Sequence, residues 1–302
     1  MNAIVVEHIS KNYGAIQALK EISFHVKKGE LFGLIGPDGA GKTSLFRILT
    51  TLMLADQGTA TVNGLDVVKD YKKIRQMVGY MPGRFSLYQD LTVEENLQFF
   101  ATIFNTTIEK NYHLIKDIYV QLEPFRKRPA GKLSGGMKQK LALCCALVHE
   151  PSILFLDEPT TGVDPVSRKE FWEMLKRLRD NGIAIMVSTP YMDEADLCER
   201  VALIQAGQIL QINSPANIVA DFEKDIYGVK GEHMHALLQT ARSYPGTFSC
   251  FAFGDQLHLV LKDGETNSLG VQQYLSERIN GDFTLQKIEP GIEDCFMYLM
   301  EK

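Results

Sequence analysis

Apolar residues in the first two thirds of the chain come in short, dense runs separated by amphipathic stretches. The runs at 31–35, 78–81, 153–156, 183–188 and 201–205 are apolar almost throughout, as strands buried on both faces must be. The stretches between them carry helical periodicity, so the alternation predicts an α/β domain with a largely parallel core sheet. The opening differs. Residues 3–8, 22–26 and 59–62 read as short strands, and Asn63 followed by Gly64 is a hairpin signal, which predicts a small antiparallel sheet packed on the parallel core. Residues 92–123 contain few breakers and predict an inserted helical segment, within a helical subdomain spanning about 85–150. A short helix after Ser214 and Pro215 closes a first domain of residues 1–220.

The tail has its own rhythm. Strand 226–230, helix 233–243, strands 248–253 and 256–261, helix 269–279, strand 283–288 and a final helix 292–300 follow in order. This β-α-β-β-α-β order predicts a ferredoxin-like accessory domain over 221–302, and it carries no catalytic cluster.

Composition narrows the function. A chain of 302 residues, 45% hydrophobic, buries a substantial core. A net charge of −5 gives no electrostatic case for nucleic acid, so none is expected as a partner. Cys144, Cys145, Cys198, Cys250 and Cys295 show no metal-ligand or redox spacing and read as reduced thiols of a cytoplasmic protein. No run approaches the roughly 20 apolar residues that span a bilayer, and no signal peptide is evident. Any role at a membrane is therefore expected through a separate subunit.

Candidate chemistry begins at Gly36, Pro37, Asp38, Gly39, Ala40, Gly41, Lys42 and Thr43, a full phosphate-loop pattern between the run 31–35 and a helix opening at Ser44. Its glycines permit a tight turn that aims backbone N–H groups at phosphates, and the helix start adds partial positive charge. Lys42 is expected to reach the β- and γ-phosphates and Thr43 to ligate Mg²⁺. Downstream, the run 153–156 ends in Asp157, placed for the metal, and Glu158, placed to orient or deprotonate a water.

Leu133, Ser134, Gly135, Gly136, Met137, Lys138, Gln139 and Lys140 put a Ser-Gly-Gly turn ahead of an apolar helix. In its order and spacing between the two phosphate-site elements, this segment resembles the signature motif of ABC ATPases. Gly162, Val163, Asp164 and Pro165 resemble the family's D-loop, and Tyr13 with Gly14 its adenine-stacking aromatic. The resemblance covers residues 1–220. It implies ATP and Mg²⁺ as cofactors and a head-to-tail dimer with a second ABC ATPase subunit, in which Ser134, Gly135 and Gly136 close the partner's nucleotide. It also implies a multi-helix membrane permease whose cytoplasmic helix docks near residues 85–90, so that the chain lies on the inner face of the membrane. The tail ending in Pro290, Gly291, Ile292, Glu293 and Asp294 and the segment from Tyr80 to Val93 are similar to those of bacterial ABC-2-type exporters, including antibiotic and sodium exporters.

Three positions depart from the family pattern. Gly83 stands where a glutamine normally contacts Mg²⁺ and water, Pro190 where a histidine contacts the γ-phosphate, and Asp38 where asparagine is usual. His149 reads as a cation capping the helix before it. Loss of one positioned donor costs a hundredfold to a thousandfold in rate, roughly, so this loop is expected to bind ATP and hydrolyse it slowly. The asymmetry resembles the first half of fused two-ATPase exporters and favours a heterodimer, with a homodimer left open. Two other readings also stay open: an ATP-clamping regulatory half with negligible turnover, and a soluble ABC protein outside transport.

Overall fold

Leu31–Ile35 is buried at every position and lies inside a six-stranded sheet. It pairs in parallel with Ala184–Thr189 on one side and Arg200–Gln205 on the other. Ile153–Asp157 and Val78–Met81 continue the sheet in parallel beyond Ala184–Thr189. All these strands end at the same edge, so Ile35, Asp157 and Thr189 deliver their following loops to one place. Gln208–Asn213 adds an antiparallel edge strand that sequence patterning does not predict. Its hairpin turns at Ala206 and Gly207, both with positive φ (47° and 78°), and alanine there hides the usual Asn-Gly signal.

The computed structural model describes residues 1–262 and 268–301 and divides into two units, Met1–Ser214 and Pro215–Lys302. In the first, the strands Ile16–Lys27, Asn2–Tyr13, Gln57–Val62 and Leu65–Asp66 form a second, antiparallel sheet. Asn2–Tyr13 and Ile16–Lys27 run well beyond the expected 3–8 and 22–26. Bulges explain the difference: His8 and Glu21 have positive φ, and each slip in register breaks the alternation that marks a strand. The two sheets and the helix Lys42–Leu49 share one apolar core, in which Phe24 stacks on Phe32 and Phe46 meets Phe155 edge-on.

The expected helical stretch 92–123 is two helices, Val93–Ile103 and Tyr112–Tyr119. Thr92 starts the first with a capping box to Glu95. Asn105, at φ 52°, ends it in the left-handed region that asparagine tolerates best among residues with side chains. The helix Gly135–Leu147 follows, capped by Ser134. His149, expected as a charged cap, is instead half-buried. Its Nε2 lies 3.1 Å from the Val78 carbonyl, its ring stacks on Phe104, and burial pushes its pKa down, which disfavours the charged form.

The second unit has the antiparallel strand order Thr247–Phe253, Gln256–Leu261, Ile226–Gly231, Phe283–Ile288, which is ferredoxin-like. Leu237 and Ala241 of Met234–Ser243 and Val271 and Leu275 of Ser268–Ser276 pack on Val229, Leu257 and Leu259. Pro215–Ala220, which the sequence reading puts in the first domain, falls in this unit. On Ile292–Glu301, Tyr298 packs on Phe222 and Phe248, and Asp294 bonds His258 at 2.6 Å.

Candidate functional site

The loop at 36–43 follows directly from Leu31–Ile35, and its shape is fixed by close backbone packing. Gly36 N–H donates to the Thr189 carbonyl, and Gly207 N–H donates to that of Ala40. A Cβ at Gly36 would stand 2.1 Å from the Ile204 carbonyl oxygen, and one at Gly41 would stand 2.4 Å from that of Ala18. Gly39 and Gly41 also hold positive φ, of 80° and 104°. The loop is a cradle that side chains would fill. Asp38 is exposed at its tip and has no ion-pair partner among the described residues.

Lys42, buried at the start of the helix, curls back over the loop. Its ammonium donates to the carbonyls of Gly36 (2.8 Å) and Pro37 (3.0 Å) and pairs with Glu158 Oε1 at 3.3 Å. A cation this deeply buried needs all its donors satisfied, and here it is. A cavity of about 160 Å³ beside it is lined by Gly39, Gly41, Lys42, Thr43, Ser44 and Glu158, with Ala18 as a wall. Tyr13 stands at the same opening. Its hydroxyl donates to Met53 Sδ at 3.0 Å and lies 3.2 Å from Ser44 Oγ, while its ring remains half-exposed.

Thr43 and Glu158 also line a second cavity, of about 460 Å³, together with Arg47, Tyr80, Gly83, Arg84 and Asp157. Asp157 is buried, and its Oδ1 accepts the Ser188 hydroxyl at 2.6 Å. Burial and the neighbouring Asp157 charge push the Tyr80 phenol up to about 12, against the pull of Arg47. The structure thus gathers Lys42, Thr43, Asp157 and Glu158 around two cavities that share Thr43 and Glu158. The residues fit a magnesium polyphosphate: a cradle of N–H groups, a buried ammonium, and a hydroxyl with a carboxylate in one cavity, which is the oxygen donor set Mg²⁺ takes alongside phosphate oxygens.

Gly83 lines the larger cavity, and Pro190 lines neither. Pro190 follows Thr189, whose carbonyl receives Gly36 N–H. A Cβ on Gly83 would be 3.0 Å from the Asp157 carbonyl oxygen. Ser134, Gly135 and Gly136 line neither cavity. They start their helix against the 162–167 segment, where a Cβ on Gly136 would stand 2.8 Å from Ser167 Oγ and one on Gly135 3.3 Å from the Gly162 carbonyl oxygen. Asp164 caps the helix Pro165–Asp180, accepting Ser167 N–H at 3.0 Å, and that bond holds its carboxyl below the usual range.

Sequence reasoning does not find Ser188, Arg47 or Tyr80. Ser188 pairs with Asp157 at the matching end of the adjacent parallel strand, a register that only the fold reveals.

Comparison with known proteins agrees with this geometry. The ABC transporter family profile matches residues 19–161. The chain is 41% identical to the probable multidrug ABC transporter ATP-binding protein YbhF of Escherichia coli over 287 residues, which is 94% of this chain and 49% of that protein. It therefore spans about half of that relative's length. It is 33% identical to Nod factor export ATP-binding protein I of Sinorhizobium fredii over 301 residues, covering 98% of this chain and 85% of that one. Among solved structures, an ATP-binding subunit of an ABC transporter superposes with a TM-score of 0.67 at 26% identity, covering 73% of this chain and 93% of that one.

Proposed function

Because the chain belongs to the family of ABC transporter ATP-binding subunits, we propose that it binds Mg-ATP on the loop at 36–43 and works with a second ATPase subunit to drive the membrane permease of an export system. The observation that carries this reading is the convergence of buried Lys42 and buried Asp157 on two cavities that share Thr43 and Glu158.

The roles follow from position. The N–H groups of Gly39, Ala40 and Gly41 cradle phosphate oxygens, and Lys42 neutralises the outer two phosphates. Thr43 and Asp157 hold the metal. When bound, Mg²⁺ offsets charge on the phosphoryl oxygens and polarises them. Glu158 takes a proton from the attacking water, and the half-exposed ring of Tyr13 stacks on the adenine. Ser134 and Gly135 are exposed at a helix start and absent from their own loop's cavities, which supports a role in closing a nucleotide on another chain.

Turnover at this loop is slow. Gly83 offers no side chain and Pro190 neither a side-chain donor nor an N–H, so two transition-state contacts are missing. Their losses need not add, because such groups act as a unit. Pairing with a subunit that carries both contacts is the arrangement we favour, and the relative of which this chain covers half has as much sequence again. A permease helix is expected against the helical subdomain, where Tyr88 and Ile103 are exposed and Phe100, Phe104 and His149 line a cavity together with Leu52 of the preceding segment. An export role draws support from the relatives, one named as a probable multidrug ABC transporter protein and another for Nod factor export.

The test is ATP turnover by the purified chain, alone and mixed with a candidate second subunit. We expect slow turnover alone and stimulation in the mixture. Rapid turnover by the chain alone, abolished by Glu158→Gln, contradicts the impaired site, and absence of ATP binding contradicts the whole reading.

A further inference from the structure

Arg84 is the unpaired cation of the metal-side cavity. Its side chain lines the space with Thr43, Arg47, Asp157 and Glu158, and it makes no hydrogen bond or ion pair among the described residues. Arg47, the other cation lining it, is engaged with the Tyr80 hydroxyl, and Lys42 of the neighbouring cavity with Glu158 and two carbonyls. The space therefore holds two carboxylates and a guanidinium with no partner.

The backbone under Arg84 is held on both sides. Before it, Gly83 lies so close to the Asp157 carbonyl oxygen that an added Cβ would stand 3.0 Å away, and 3.7 Å from Glu158 Cβ. After it, the Phe85 ring sits under the Lys138 ammonium, 5.5 Å from ring centroid to nitrogen, and Leu87 is buried. Gly83 thus does more than remove a side chain. Its bareness lets the chain lie against the Asp157–Glu158 junction, and Arg84, exposed, follows at the rim of the cavity. A guanidinium suits this place, since its planar fork matches the oxygens of a terminal phosphate.

We propose that Arg84 contacts the γ-phosphate and is the residue by which this site prefers ATP to ADP, in place of contacts that Gly83 and Pro190 cannot make. The inference rests on the nucleotide reading of the loop. Lys42 and the loop N–H groups serve both nucleotides, whereas Arg84, on the metal side beyond Thr43, meets only the third phosphate.

The experiment measures equilibrium affinities of the full chain, with Mg²⁺, for ADP and for the non-hydrolysable imido analogue of ATP. Arg84→Ala and Arg84→Lys are compared with the wild type. A charge-assisted contact of this kind supplies about tenfold or more in affinity. Arg84→Ala is expected to lose about tenfold or more for the ATP analogue and less than about twofold for ADP, with part of the loss recovered in Arg84→Lys. Unchanged ADP affinity also certifies the fold of each variant. Equal losses for both nucleotides, or none for either, overturn the role of Arg84 alone. A wild-type chain that binds neither nucleotide overturns the nucleotide reading and this inference with it.

Discussion

The Ser188 hydroxyl donates to Asp157 Oδ1 at 2.6 Å, and Ser188 Oγ in turn accepts the backbone N–H of Glu158 at 3.1 Å. One serine, on the neighbouring parallel strand, fixes both the Asp157 carboxylate and the turn that presents Glu158. Glu158 itself sits at φ 50°, a left-handed backbone that needs such support. Ser188→Ala is expected to cost about 1.5–3 kcal/mol of stability, as loss of a bond to a buried charge does. Chemical denaturation measures the stability, and magnesium titration in the presence of nucleotide should show weaker metal binding.

The loop glycines should not be equivalent. At Gly39 the left-handed backbone is the sole obstacle, because nothing lies within 4 Å of an added Cβ. Gly39→Ala should cost about 1–2 kcal/mol of strain and leave nucleotide binding measurable. At Gly41 the same strain is joined by a Cβ 2.4 Å from the Ala18 carbonyl oxygen, so the loop must move away from its wall. Gly41→Ala should abolish binding in a calorimetric titration while the Gly39 variant still binds.

Restoring the two departures should also give unequal results. Pro190→His places an imidazole after Thr189 and should raise turnover by about tenfold or more. Gly83→Gln must first displace the 82–84 backbone from the Asp157 carbonyl, 3.0 Å from its new Cβ, so its gain should be the smaller. Single-turnover hydrolysis of radiolabelled ATP reads both. A larger gain from Gly83→Gln contradicts the packing argument.

His149 gives a pH dependence with a definite sign. Burial lowers its pKa in the folded chain below the ordinary value of 6.5. As pH falls through 6.5 the unfolded state takes up a proton that the folded state refuses, so the stabilisation present above 6.5 is lost on acidification. His149→Gln should flatten the fall in melting temperature between pH 6.5 and the lowered value, leaving the alkaline side unchanged.

The loop at 36–43 and the Asp157–Glu158 pair were legible in sequence because their chemistry is local: glycine spacing, an apolar run, and a polar residue at its end. The ferredoxin-like strand order of the tail followed from element order, since two crossover units constrain how four strands pair. Features set by contact between distant segments were not legible. Ser188 meets Asp157 across 31 positions, and the Ala18 wall approaches Gly41 from another sheet. His149 looked like a cap because its helix ends beside it, yet the Val78 carbonyl and the Phe104 ring decide its state. Bulges at His8 and Glu21 hid half of two strands, and Ala206 hid a hairpin.

The 3.3 Å pair between Lys42 and Glu158 ties the phosphate loop to the end of the strand Ile153–Asp157. Under the proposed nucleotide reading, a phosphoryl group that draws the ammonium to itself also draws it from the carboxylate, so what arrives at the loop is expected to be felt at Glu158. The salt link that satisfies a buried lysine in the resting chain thereby makes a tether between the two elements.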